Sequence, residues 1–393
     1  MGDGTPARPR VTEAGVAEER DRLLTPRFLL VVSCGLFYFL ALAMMTPVLP
    51  HYVEDSLGAG SVAVGIAVGA FAVGAITLRL YAGRLGDRSG RRVLIIGGAV
   101  IVGASTLLYG VVHALWWLIL MRVVTGFGEA GFFVGAATMI TDLSPADRRG
   151  EAISYWSVAV YGGLSFGPAL GEFLRGTSRF TLTFVVSAAL AFAAALIGLF
   201  TVEVPRTTTA IPSGHLLHRA AIMPGTVLFL GLIPLAGFTA FMPLYASDEL
   251  HISSGPIFVI YGVLILAVRI FGARVPDRLG GRNAGAIALA FAALGIGIIA
   301  AVPTVVGLIA GTAVFGVGMS FMYPALLLLA LAGVSDADRA SVVGTFSSFF
   351  DGSQGLGALV CGAVVAVAGN RGAFTTGAVT AVIGFVLLRV RTS

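Results

Sequence analysis

Long apolar runs alternate along this chain with short stretches of charge, proline and glycine. The pattern predicts twelve helices near 28–49, 62–81, 93–112, 115–140, 152–173, 182–202, 225–245, 257–272, 284–301, 305–331, 342–367 and 373–388. Each run is close to the roughly 20 residues that a helix needs to cross a hydrocarbon core about 30 Å thick. The N-terminal segment 1–26 differs: Arg8, Arg10, Glu13, Glu18, Glu19, Arg20, Asp21 and Arg22 leave it without apolar content for a core, so a disordered cytoplasmic tail is expected there. Apolar residues first dominate at Phe28, and the run on to Pro50 is as long as a full span, which speaks against a cleaved signal peptide. A second polar stretch, 203–223, separates six runs in 27–202 from six in 224–393 and reads as a cytoplasmic linker.

Composition strengthens this reading. Of the 393 residues, 57% are apolar and 11% are charged, and the mean hydropathy is +0.95. A water-soluble domain carries about 25% charged residues, so a soluble fold is excluded. The 53 glycines suit helices whose backbones approach closely in lipid, and so a helical bundle rather than a barrel. All 25 basic residues are arginine. ATP hydrolysis on a phosphate-binding loop needs a lysine, so that chemistry is excluded. Cys34 and Cys361 fall in separate apolar runs and read as packed thiols. The arginines are scattered over short loops instead of forming one stripe, which argues against a nucleic-acid partner. With the N-terminus in the cytoplasm, 19 arginines fall on the inner side, and Arg175, Arg179 and Arg371 fall outside. The positive-inside bias therefore places both termini in the cytoplasm. Arg79, Arg122 and Arg269 remain inside apolar runs.

An internal repeat is the most specific signal. Arg79-Leu-Tyr-Ala-Gly83-Arg84-Leu85-Gly86-Asp87-Arg88-Ser89-Gly90 recurs 190 residues later as Arg269-Ile-Phe-Gly-Ala273-Arg274-Val275-Pro276-Asp277-Arg278-Leu279-Gly280. The loop Pro145-Ala-Asp147-Arg148 likewise resembles Asp336-Ala-Asp338-Arg339. Two related six-helix halves follow.

With these residues the chain resembles the major facilitator superfamily, from Phe28 nearly to its end. Gly83 to Arg92 fits that family's signature between helices 2 and 3 almost position for position. The resemblance implies an all-α integral membrane fold of twelve transmembrane helices in two pseudo-symmetric six-helix bundles. It also implies a cytoplasmic latch built from Gly83, Asp87, Arg88, Gly90 and Arg91, with Asp277 and Arg278 in the second copy. Asp142 at the end of helix 4 is the expected partner of Arg88. The alternative is a basic loop that only sets orientation, although Asp87 adds nothing to such a role.

Helix 4 contains Leu118, Arg122, Thr125, Gly126, Gly128, Glu129 and Ala130, similar to the second signature of drug/proton antiporters. Arg122 and Glu129, two turns apart, share a helix face. An ionisable side chain inside a span costs several kcal/mol unless it meets water or a partner. Glu129 departs from the family pattern, where a small residue is usual. Arg122 and Glu129 are therefore proton-coupling candidates, with an internal ion pair between them as the alternative. Helix 5 carries Gly163, Gly167, Pro168 and Gly171, resembling the family's antiporter signature, with Glu172 in place of its last glycine. In the family those residues shape helix 5 against the other half and limit leakage, although close packing alone would also use them. Asp351, deep in helix 11, is a further proton-coupling candidate. Its alternative is a structural bond to helix 10 or helix 2, for instance to Arg79. Glu54, Asp55, Asp248 and Glu249 read as solvated loop ends.

Two familiar patterns are refused. Gly163-Leu-Ser165-Phe-Gly167 spells a hydrolase nucleophile elbow, and Gly126-Phe-Gly128-Glu-Ala-Gly131 spells a dinucleotide fingerprint. Both require a preceding strand, and both lie in continuous helical pattern. The five histidines form no metal-ligand set with the cysteines, so no metal or cofactor is expected. The expected function is alternating-access secondary transport: proton-coupled efflux of a small drug-like or metabolite solute by a monomer in a bacterial inner membrane. Phe37, Tyr38, Phe127, Phe241, Phe321, Met322 and Tyr323 on helices 1, 4, 7 and 10 are candidates to line its cavity. Proton-driven uptake of a sugar or organic acid, and a non-transporting receptor, are the alternatives; no polar catalytic cluster points to an enzyme.

Overall fold

A computed structural model describes residues 23–145, 148–176, 179–203, 218–272, 275–335 and 338–390. The side chains of Leu80, Gly83, Arg84, Asp87, Arg88, Arg149, Gly150, Glu151, Ser154, Pro276, Asp277, Arg339 and Ala340 lie outside that description. So do nearly all of the expected tail and most of the expected linker.

The described residues form twelve helices and no strand. The first half comprises α1 (Pro26–His51), α2 (Ser61–Ser89), α3 (Arg91–Leu107), α4 (Leu115–Asp142), α5 (Arg149–Arg175) and α6 (Phe180–Gly198). The second comprises α7 (Arg219–Asp248), α8 (Gly255–Gly272), α9 (Val275–Ala301), α10 (Val305–Leu331), α11 (Arg339–Ala368) and α12 (Asn370–Val390). A π-helical turn, Tyr52–Ser56, extends α1, and a 3-10 turn, Leu108–Gly110, ends α3. Eleven of the twelve are long and apolar enough to cross a membrane; α5, which ends in Glu172 and Arg175, is the twelfth. In lipid every backbone polar group must be satisfied within the segment, which is why apolar runs of this length become helices. Helix ends carry local signals: the Thr25 hydroxyl accepts from Phe28 N at 3.2 Å ahead of Pro26, and the Thr304 hydroxyl accepts from Gly307 N at 3.0 Å.

The boundaries that differ most from the sequence expectation lie in the two copies of the repeat, at the end of α2 and at the start of α9, which begins at Val275 and not near 284. Helix α2 does not stop near residue 81 but continues through the signature to Ser89, and the chain turns only at Gly90, where φ is +92°. Its counterpart in the repeat, Gly280, also takes a positive φ, +76°, and kinks α9. Glycine inside a helix costs only about 1 kcal/mol against alanine, so Gly83 and Gly86 do not break α2; the left-handed conformation at Gly90 does.

Within the first half α1 packs on α5 and α6, and α4 on α2 and α3; within the second, α7 packs on α11 and α12, and α9 on α10 and α12. The refused glycine patterns are packing surfaces here. A Cβ on Gly98 would meet Gly128 O at 2.5 Å, and one on Gly128 would meet Gly98 O at 2.7 Å, so α3 and α4 touch backbone to backbone. Gly163, Gly167 and Gly171 seat α5 on α1, against Leu40 and Met44 of their own half. That corrects the expectation that they face the other half. Ser165 and Glu172, set between and beyond them, meet α8.

The halves join along three seams, α2 with α11, α5 with α8, and α1 with α7. An even number of spans puts both described chain ends on one side, the termini side. One hydrophobic cluster draws buried residues from both halves, among them Met45, Leu49, Phe241, Leu244, Cys361 and Val365, and it lies on the far side. The two other clusters take their buried members from one half each. On the far side Gly65 and Gly69 of α2 lie so close to α11 that a Cβ would fall 2.5 Å from Ala358 O and 2.7 Å from Gly355 O. The two halves are thus held shut by backbone contact on the side away from the termini.

Candidate functional site

Three charged side chains from three helices and both halves converge at the termini-side end of the α2–α11 seam. Arg79 of α2 donates from Nη2 to both oxygens of Glu129 on α4, at 3.0 Å and 2.7 Å. Its Nη1 lies 3.0 Å from Oδ2 of Asp351 on α11. The side chains are 18%, 10% and 9% exposed, so water screens these pairs little. The Phe133 ring lies 5.3 Å from the guanidinium carbon. The group carries one positive and two formal negative charges. A single proton taken up by either acid makes it neutral, and breaking its Arg79–Asp351 arm removes an ionic tie between the halves.

The structure therefore joins two of the sequence candidates, Glu129 and Asp351, through Arg79, which the sequence offered as a structural partner of Asp351 but not of Glu129. Arg122 is not part of the group, and the internal Arg122–Glu129 pair does not form. Arg122 donates from Nε to Ala67 O at 3.0 Å and from Nη1 to the Tyr109 hydroxyl at 3.4 Å, with its guanidinium over the Phe71 ring. Tyr109 and Ser105 in turn bond the Thr125 hydroxyl, so Arg122 closes a polar network within the first half. Two turns of helix, about 10 Å, separate it from Glu129.

Of the latch residues, Gly83, Asp87, Arg88 and Asp277 have side chains outside the described set, and Arg278 is exposed. Asp142 forms an ion pair with Arg91, at the start of α3. Glu203, which sequence reasoning missed, caps the start of α3. Its carboxylate accepts from Arg91 N at 2.8 Å and Arg92 N at 3.0 Å, where the helix dipole favours negative charge. The left-handed turn at Gly90 brings the two N–H groups to this carboxylate.

The far side holds a second ionic group. Glu172 and Arg175, each 8% exposed, pair at 2.9 Å, and the Ser253 hydroxyl from the loop before α8 lies 3.5 Å from Glu172. Arg175 is therefore not the solvated outer-loop charge that its position in the sequence suggests, whereas Asp55, Asp248 and Glu249 are exposed as expected.

The expected lining residues disperse. Tyr38 is fully buried with its ring stacked 3.6 Å from that of Phe132, Phe241 belongs to the far-side cluster, and Met322 sits in the core of the second half. In this conformation these three fill cores, because each falls on a helix face turned to its neighbours. Phe37 is exposed, and Phe127 and Phe321 are half-buried. Tyr323 is also half-buried, with its hydroxyl 3.1 Å from that of Ser347. Cys34 donates to Ala194 O at 3.0 Å, and both cysteines are buried free thiols. Among the described residues no group of three His, Cys, Asp or Glu side chains has metal-binding geometry.

Known proteins resemble this arrangement along nearly its whole length. A family model described as Major Facilitator Superfamily matches residues 31–332. An uncharacterized MFS-type transporter of Salmonella typhimurium is 29% identical over 364 residues, covering 90% of this chain and 93% of the relative. An uncharacterized MFS-type transporter of Burkholderia mallei is 26% identical over 375 residues, covering 92% and 90%. Among solved structures, a bacterial homolog of the human lysosomal transporter Spinster, in an inward-facing and occupied conformation, superposes with a TM-score of 0.78 at 18% identity. That match covers 93% of this chain and 96% of the other. The nucleoside transporter NupG gives a TM-score of 0.74 at 16% identity, covering 94% and 100%. At those identities the structures show the shared fold alone. Twelve helices in two related halves, a repeated signature at the end of helices 2 and 8, and a family match over most of the length lead to one conclusion: this chain belongs to the major facilitator superfamily and is a multi-pass membrane transporter of that type.

Proposed function

We propose that the chain is a proton-coupled secondary active transporter of a small organic solute, with one proton shared between Glu129 and Asp351 across Arg79. The observation that carries this reading is the three-charge group itself. An arginine bridging two acids from opposite halves leaves one negative charge in a low-dielectric span, where an unbalanced charge costs several kcal/mol. Taking up a proton removes that cost and loosens the tie between halves, so proton binding and the change of access are linked through one residue pair. The seams support alternating access by rocking of one half on the other: the far side is shut by glycine contacts, and the charged group lies toward the termini side. With the termini in the cytoplasm of a bacterial cell, as the arginine distribution favours, this is the cytoplasm-facing arrangement of a monomer.

Export by antiport is the reading that the helix-5 signature supports, through its resemblance to antiporters. Uptake by symport is the second reading, favoured by an arginine in the α5–α8 seam, Arg269, that pairs with no acid among the described residues: an anion and a proton entering together leave the pocket neutral. Infrared difference spectra of the reconstituted protein, recorded across a pH titration without any solute, test the proton site. The parent should show a carboxyl band that appears on acidification, and Asp351→Asn and Glu129→Gln should each remove or displace it. If both variants titrate like the parent, the proton assignment is wrong. Direction is read separately. A compound that raises the melting temperature in a screen should be driven out of proteoliposomes by an inward proton gradient under antiport, and drawn in under symport.

A further inference from the structure

The second copy of the repeat carries its own arginine in a different setting. Arg269 stands on α8 where Arg79 stands on α2, at the 190-residue offset of the repeat. It lies at the α5–α8 seam, the counterpart of the α2–α11 seam. Its Nη2 donates to the Tyr161 hydroxyl of α5 at 2.6 Å, and its guanidinium carbon is 3.7 Å from the Tyr161 ring centre. The same offset places Tyr161 opposite Asp351, to within the one-residue shift of the loop repeat, and Met319 opposite Glu129. The two acids that neutralise Arg79 are thus a phenol and a thioether at the second seam. Among the described residues no carboxylate contacts Arg269, and its Nε is buried without a hydrogen-bond partner. Arg122 also lacks an acid, but it is 8% exposed and spends its guanidinium on a carbonyl, a hydroxyl and the Phe71 ring inside one half. Arg269 instead sits between the halves, where access alternates in a rocking cycle.

The surroundings are aromatic. Tyr161 packs on the core of the second half together with Tyr261, Phe321 and Tyr323. Tyr261 and Phe315 have ring centres 5.8 Å apart and nearly parallel, and the Tyr323 hydroxyl is bonded to Ser347. A guanidinium inside an apolar span is stable only when it meets water or a partner. Its planar fork matches a carboxylate, sulfonate or phosphate, and the hydroxyl beside it can donate to the same oxygens.

We propose that Arg269 and Tyr161 form a binding site for the anionic group of an organic anion whose flat apolar body lies against the aromatic side chains of the α5–α8 seam. The proposal deepens the transport reading above and rests on it for the cycle, but binding itself needs no gradient.

The test uses one ring system with three charges. The full-length protein in detergent is titrated with 2-naphthoate, 2-naphthalenesulfonate, neutral 2-naphthamide and cationic 2-naphthylmethylammonium, and binding is read by calorimetry. Both anions should bind saturably, and the amide and the cation should bind at least about 10-fold more weakly, as expected for the loss of a charge-assisted hydrogen bond. Arg269→Gln should weaken anion binding about 10-fold or more. Arg269→Lys should keep the preference for anions at reduced affinity, and so show that the site survives substitution. Tyr161→Phe should weaken the anions and leave the amide unchanged. No binding by either anion, equal binding of the amide, or unchanged anion affinity in Arg269→Gln would each overturn the proposal. The proton reading is tested apart from this one: if Asp351→Asn and Glu129→Gln both titrate like the parent while naphthoate still binds at Arg269, the proton assignment fails and the anion site stands.

Discussion

Arg79→Gln is expected to be the most damaging single substitution in the chain. It leaves Glu129 and Asp351 facing each other across a seam with their shared cation removed. Breaking a buried ion pair by deleting one partner costs about 3–5 kcal/mol, and here one residue serves two pairs. Thermal unfolding of the detergent-solubilised protein should show a fall in Tm of several degrees at neutral pH. The deficit should shrink on acidification, because protonated acids no longer repel, and it should shrink at all pH values when Asp351→Asn is added. Arg79→Lys should fall between parent and Arg79→Gln, since a point charge does not span two carboxylates as a planar fork does. A variant Arg79→Gln that melts with the parent at every pH would show that the group holds nothing together.

Gly65→Val and Gly74→Val should fail in different ways, although both place a side chain against backbone. Gly65 faces Ala358 O of the other half at 2.5 Å from an ideal Cβ, whereas Gly74 faces the Val123 carbonyl within its own half. Overpacking costs about 1–3 kcal/mol. At the seam that cost falls on the far-side-closed state alone, a shift of about 5- to 150-fold in population. Labelling by a water-soluble maleimide reads this, using a cysteine introduced at Val365 in a background where Cys34 and Cys361 are alanine. Val365 is 9% exposed and belongs to the cluster shared by both halves. Labelling should rise about fivefold or more with Gly65→Val, at a nearly parental melting temperature. Gly74→Val should instead lower the melting temperature, because α2 and α4 separate inside one half. Equal labelling of Gly65→Val and parent would mean that the seam does not need backbone contact to close.

Much of the fold was legible from the chain alone because a membrane span is a one-dimensional property. Twenty apolar residues in a row define a helix in lipid whatever lies beside it, so the number and order of the helices followed from hydropathy. The error at α2 has the same origin. Residues 82–89 are too charged to be read as span, yet they continue the helix, since charge rules out the hydrocarbon but not the helix, and only Gly90 reverses the chain. The repeat also showed at once, as residue identity at a fixed offset.

The candidate site was half legible. Glu129, Asp351 and Arg79 each stood out as charges in apolar runs, because a charge is costly there and demands an explanation. Of their partnership, a bond between Asp351 and Arg79 was among the alternatives, but the pairing of Glu129 with Arg79 did not follow. Arg122, two turns away on the same helix, was as good a partner for Glu129 on spacing as Arg79 was on another helix 50 residues away. The choice depended on how α2 and α4 interlock through Gly74 and Gly126, which sets the rotation of each helix about its axis. Rotation also decided that Tyr38, Phe241 and Met322 turn into cores, since an aromatic or methionine side chain reads the same whether it faces a core, lipid or a pocket. Glu172, Arg175 and Glu203 lay at span ends, where charge is cheap and therefore uninformative; their burial and capping contacts appear only when the helices are assembled.

The amino-acid order thus determined that the chain spans a membrane twelve times, in two related halves, with two acids and three arginines placed where lipid alone would not tolerate them. Assembly of the helices determined which charges meet: both acids on Arg79 at one seam and neither on Arg269 at the other. The physical reason is that hydropathy acts residue by residue along the chain. Coulombic pairing acts over a few ångströms between helices, and their relative rotation and seams are set by close glycine packing.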